Sequence, residues 1–86
     1  MTNRATPKFW AAYAALPRDI RKLAQKNYAL FRLDPQHPSL RLEKVGKKWS
    51  VRVGLKYRAL AIETDDGFLW TWIGTNDQYD WLVKSL

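Results

Sequence analysis

The feature that most constrains this chain is the alternation in Trp49-Ser50-Val51-Arg52-Val53-Gly54, where the apolar residues fall on every second position. Successive side chains of a strand point to opposite faces, so this period of two sends Trp49, Val51 and Val53 to a core and Arg52 to the other side. A fold must therefore supply a sheet with one covered face. Neighbouring segments supply the other strands. Leu40, Leu42 and Val45 give a loosely alternating first strand, followed by a Gly46-Lys47-Lys48 turn. Tyr57 to Glu63 reads as a third strand, Asp65-Asp66-Gly67 as a hairpin turn, and Phe68 to Ile73 as a fourth strand. Strict alternation along that last strand puts Trp70 and Trp72 on one face, where burial is the expected reading.

The covering layer comes from the N-terminal part. Thr6-Pro7 reads as a helix entry, with Thr6 as cap and Pro7 in the first turn. Phe9, Ala12, Tyr13 and Leu16 follow at helical spacing, and Pro17 interrupts them. A second stripe runs through Ile20, Leu23, Ala24, Tyr28 and Phe31, with Arg18, Arg21, Lys22, Lys26 and Arg32 between its members. This is an amphipathic helix with a basic outer face, ended by Asp34-Pro35. Residues 34–39 form a loop. Asn76 is placed to cap a last short helix carrying Tyr79 and Leu82 on one side. The order predicts an α+β fold, in which two N-terminal helices pack on a four-stranded, mostly antiparallel sheet and a short C-terminal helix or turn follows.

At 86 residues the chain is read as one domain, residues 1–86, with no linker or repeat. A domain of this size buries only about 60–65% of its unfolded surface, and without cysteine it has no disulfide to help. Its 47% hydrophobic content and five Trp residues provide the core material instead. No apolar run approaches the ~20 residues that span a bilayer, and no leader pattern precedes the first helix. A cytoplasmic protein with no membrane partner is expected.

Charge narrows the function. Fifteen Lys and Arg against eight Asp and Glu give a net charge of +7, which favours polyanionic partners. Seven cations lie between positions 41 and 58: Arg41, Lys44, Lys47, Lys48, Arg52, Lys56 and Arg58, opposed only by Glu43. Lys47 and Lys48 suit a turn that guards a sheet edge. Arg52 stands opposite the core by strand parity. Arg58 shares parity with Leu60 and Ile62, which read as core, so its exposure needs a bulge near Lys56-Tyr57. Tyr79 reads either as a core aromatic stapling the tail or as a base-stacking ring. The one histidine, His37, lies between two prolines in a loop and reads as a loop residue. Asp65-Asp66 reads as a turn, and Asp77 and Asp80 as helix N-terminal residues. No metal-ligand spacing, Gly-rich phosphate loop, nucleophile elbow or catalytic carboxylate pair is present.

The segments WSVRVGLKYRALAIE (Trp49 to Glu63) and LWTWIGTNDQYDWL (Leu69 to Leu82) resemble the RelE/ParE-type toxins of bacterial toxin–antitoxin systems. The likeness runs over about residues 7 to 84. It lies in a strand–turn–strand ending in Tyr-Arg, then a last strand followed by Gly, a polar stretch and a Tyr. The resemblance implies a ribosome-associated endoribonuclease that cuts mRNA without metal or other cofactor, held in check by an antitoxin protein. It places catalytic roles on Arg52, Arg58 and Tyr79, to which Asn76 is added as a candidate hydrogen-bond donor, while the charge pattern offers Arg41, Lys44, Lys47, Lys48 and Lys56 for RNA binding. Two departures stand out. Family positions that carry titratable or cationic residues fall here on Ser50 and in the stretch Thr75-Asn76-Asp77, where Ser50 and Asn76 cannot shuttle a proton near neutral pH. ParE-like members of the same family act on DNA gyrase, so gyrase inhibition, or antitoxin binding without chemistry, are the alternative readings.

Overall fold

The computed structural model describes residues 2–84. Across them run strand β1 (Thr2–Ala5), helices α1 (Pro7–Ala14) and α2 (Arg18–Leu33), and a 3-10 turn at Pro38–Leu40. Strands β2 (Glu43–Val45), β3 (Lys48–Val53), β4 (Tyr57–Thr64) and β5 (Gly67–Thr75) follow, then helix α3 (Asn76–Lys84). The strands form one mixed sheet in the order β1-β5-β4-β3-β2. The fold class is α+β as expected, with five strands among the described residues in place of four.

The added strand is β1, which lies parallel to β5. Its sequence, Thr-Asn-Arg-Ala, carries no apolar alternation, so only its partner places it. Gly67 makes room: a Cβ there would run into the backbone of Thr2. The Asn3 side chain then accepts a hydrogen bond from Trp70 Nε1 at 3.2 Å. The first predicted strand is also shorter than expected. Leu40 ends the 3-10 turn and is fully buried, and pairing begins only at Glu43.

Thr6 caps α1, accepting from Phe9 N at 3.1 Å, with Pro7 in the first turn. Pro17 separates α1 from α2, and α2 ends at Asp34. Helix α1 packs along β5 and α2 along β3. Between them the middle of β4 offers Ala59 and Ala61, both buried. Small residues at the centre of the covered face let two helices straddle it. The core gathers Phe31, Val51, Val53, Trp70 and Ile73 around them. Phe31 meets Phe68 and Trp70 edge-on, with ring centroids 5.4 and 5.3 Å apart.

The register corrects two expectations. The β3–β4 ladder pairs Ser50 with Leu60 and Arg52 with Arg58, so Leu60 and Ile62 share the face of the arginines, and Ala59 and Ala61 point to the helices. Arg58 needs no bulge to reach that face. The irregularity lies further on, where Leu60 pairs with Trp72 and Ala61 with Trp70, leaving Thr71 as an extra residue. This bulge puts Trp70 and Trp72 on opposite faces. Trp70 is core. Trp72 joins Arg58.

Candidate nucleic-acid interface

Helix α3 folds back over the face not covered by α1 and α2, packing on β4 and β5. Its start is a reciprocal cap: Thr75 Oγ1 accepts from Gln78 N at 3.2 Å, and Gln78 Oε1 accepts from Thr75 N at 3.0 Å. Thr75 therefore performs the capping expected of Asn76. The Asn76 amide instead donates to Leu55 O at 2.8 Å, and its backbone N–H donates to Lys56 O at 2.9 Å. These bonds tie the β3–β4 turn to the helix and leave Asn76 as a positioning residue at the site's edge.

Tyr79 points inward from α3 and is 6% exposed. Its ring lies 4.9 Å from the Arg58 guanidinium carbon, a cation–π contact. Arg58 Nη1 also donates to Ser50 Oγ at 3.2 Å and stands 3.8 Å from Glu43 Oε1. Three neighbours on three elements thus fix one guanidinium in place. Tyr79 combines both sequence readings, since it staples the tail and it meets the site's cation. Ser50 is fully buried, and its hydroxyl is satisfied by Arg58 alone among the described residues. What looked like a missing cation is the acceptor that aims the next one.

Arg52 sits directly opposite Arg58 across the β3–β4 ladder, on the same face. It makes no ion pair among the described residues. Like charges facing each other across a strand pair are destabilising, a cost that an anion between the two groups would offset. Lys48 lies four residues before Arg52 along β3, on this face. The remaining predicted cations scatter. Lys44 pairs with Trp49 and stands 5.6 Å over its ring, on the face of the helices. Arg41 is exposed in a left-handed conformation after the 3-10 turn, and Lys47 is exposed in the β2–β3 turn. Lys56 is exposed in the β3–β4 turn beside Asn76. His37 caps the 3-10 turn, its Nδ1 accepting from Ser39 N at 3.2 Å. Glu43, the one acid among these cations in sequence, is the member whose place at the site the charge count did not show. Its register with Ser50 in a short edge strand brings it to Arg58.

A second feature lies on the helix-covered side. An apolar groove of about 440 Å³ opens between α1 and α2, walled by Phe9, Trp10, Tyr13 and Tyr28 above Val53 and Ala59. Trp10 is 55% exposed at its rim. No helix among the described residues is long and apolar enough to cross a membrane, and no three metal-binding side chains among them come together.

No protein-family model matches this sequence, and no curated protein matches it. Solved structures do match in three dimensions. The RelB–RelE antitoxin–toxin complex of Methanococcus jannaschii contains a chain that superposes with a TM-score of 0.72 at 17% identity, over 91% of this chain and 96% of that one. The archaeal RelE–RelB complex of Pyrococcus horikoshii OT3 gives 0.66 at 12% identity, over 85% and 91%. The isolated RelE toxin of E. coli gives 0.64 at 13% identity, over 96% and 95%. The class defined by sheet order, helices and tail is thus an α+β domain with a cationic open face. More particularly, its fold is that of the RelE-type toxins.

Proposed function

We propose that this chain is the toxin of a toxin–antitoxin pair and that it stops translation by cutting mRNA on the Arg52–Arg58 face. The facing arginine pair carries this reading. It breaks a rule of sheet stability on the open face of a fold shared with RelE toxins. In the reaction an RNA 2′-hydroxyl attacks the adjacent phosphorus. The bond to the 2′-oxygen forms as its proton passes to water, the bond to the 5′-oxygen breaks, and the 5′-oxygen takes up a proton from water. Charge accumulates on the phosphate oxygens as this happens. Arg58, already oriented by Ser50 and Tyr79, and Arg52 opposite it stabilise that charge. The incoming phosphate displaces Glu43 from Arg58.

No imidazole stands beside these groups, and Asn76 is committed to the β3–β4 turn. General acid–base help is worth roughly 10²–10⁴-fold, so cutting that relies mainly on electrostatics is slow. The antitoxin reading rests on the opposite face. The groove between α1 and α2, with Trp10 at its rim and the basic surface of α2 beside it, suits an apolar segment of an acidic partner.

The test is a cell-free translation reaction with purified protein. Expected are arrested synthesis and mRNA fragments ending in 2′,3′-cyclic phosphate. Arg58→Ala abolishes both while still capturing an acidic partner protein, because the groove is on the other face. Intact message with normal translation overturns the reading. Loss of DNA supercoiling with intact message selects gyrase inhibition instead.

A further inference from the structure

Beside the arginine pair, β5 and α3 leave an open cleft of about 420 Å³ lined by Trp72, Asp77, Gln78, Trp81 and Leu82. We propose that this cleft holds one base of a single-stranded RNA whose phosphate lies on Arg52 and Arg58, and that it selects bases bearing an exocyclic amine. The inference deepens the RNA-cutting reading above and rests on it.

The first support is continuity. Arg52, Arg58 and Gly74 are register partners in one row across β3, β4 and β5. Gly74 has no side chain because the space is taken: a Cβ there would meet the Trp72 ring and Gln78 Oε1. The Trp72 indole therefore begins where the cation row ends. A strand crossing the arginines arrives at an aromatic surface next.

The second support is chemistry. Trp81 is 77% exposed and Leu82 39% exposed, on a helix whose buried residue is Tyr79. Two indoles line one cleft, and stacking of bases on aromatic side chains is tolerant of sequence. Gln78 is fixed by its reciprocal bonds with Thr75, so the floor of the cleft is rigid. Asp77 adds a carboxylate. A carboxylate repels phosphate and accepts from N–H groups, so the base edge faces Asp77 and the backbone stays with the arginines. Adenine, cytosine and guanine each carry an amino group on that edge. Uracil presents carbonyls on both sides of its single N–H, and these oppose a carboxylate.

The experiment uses the full chain and short homopolymeric RNAs with 2′-O-methyl groups, which bind but are not cut. Tryptophan quenching reads the affinity. Expected is tighter binding of oligo-C than oligo-U, a loss of about tenfold in oligo-C affinity for Trp81→Ala, and most of it restored in Trp81→Phe. Asp77→Asn reduces the preference for oligo-C over oligo-U. Thermal melting that matches the parent confirms that the exposed Trp81 is not needed for folding. Unchanged affinity in Trp81→Ala, with binding still lost in Arg58→Ala, overturns the base cleft and leaves the RNA reading standing. A parent protein that binds neither oligomer overturns both.

Discussion

The two faces of the sheet follow opposite rules. Under α1 and α2, residues are apolar, small where helices close in, and buried: Phe31, Val51, Ala59, Ala61 and Ile73. On the other face the same strands present a buried serine, two arginines facing each other and an indole above a glycine. Alternation lets β3 and β4 serve both faces, since neighbours along an unbroken strand point to opposite sides. The face under α1 and α2 holds most of the core, and the other face combines packing of Leu60 and Tyr79 with two facing charges. Arg58 shows how the latter is managed: hydrogen bonding to Ser50, stacking on Tyr79 and pairing with Glu43 restrain a cation that would otherwise only repel Arg52.

This contrast breaks if substitutions on the two faces behave alike. Phe31→Ala should cost about 3–5 kcal/mol, since it opens a cavity against Phe68 and Trp70. Urea unfolding measures this, and a loss under 1 kcal/mol would mean that the core lies elsewhere. Arg52→Ala should do the reverse. Removing one of two like charges leaves the fold unchanged or roughly 0.2–1 kcal/mol more stable, while RNA cutting falls by about 10²–10³. A destabilised Arg52→Ala protein would show that the arginine pair is structural.

The smallest effect sharpens the edge of the sheet rather than either face. The Thr64 hydroxyl, donating to Asp66 Oδ1 at 3.1 Å, holds the Asp66 carboxyl below the ordinary carboxylate range, with Arg4 at 3.7 Å assisting. A carboxyl depressed in the folded state contributes stability that is present above its unfolded pKa. That contribution is lost as pH falls through the folded value. Melting temperature should therefore drop slightly more on acidification in the parent than in Asp66→Asn, and parallel curves would remove Asp66 from the account.

Residue pattern alone was enough for the α+β class, both N-terminal helices, the Thr6 cap, the β3–β4 and β4–β5 hairpins, and Arg52 on the face away from the core. These are local signals: a period of two, a period of 3.6, prolines and turn residues. It was silent on β1, because a parallel edge strand of polar residues exists only through its partner. It misassigned Trp72, because one extra residue at Thr71 reverses parity for every position beyond it, and it misread the face of Arg58, because Leu60 lies on the side that α3 and not α1 or α2 packs against. It also could not show that Ser50 and Glu43 serve Arg58, or that Thr75 and not Asn76 caps α3. The contacts of Arg58 join three different elements, and the cap follows from where β5 stops and α3 starts. Their geometry is set by register and packing, which no single segment encodes.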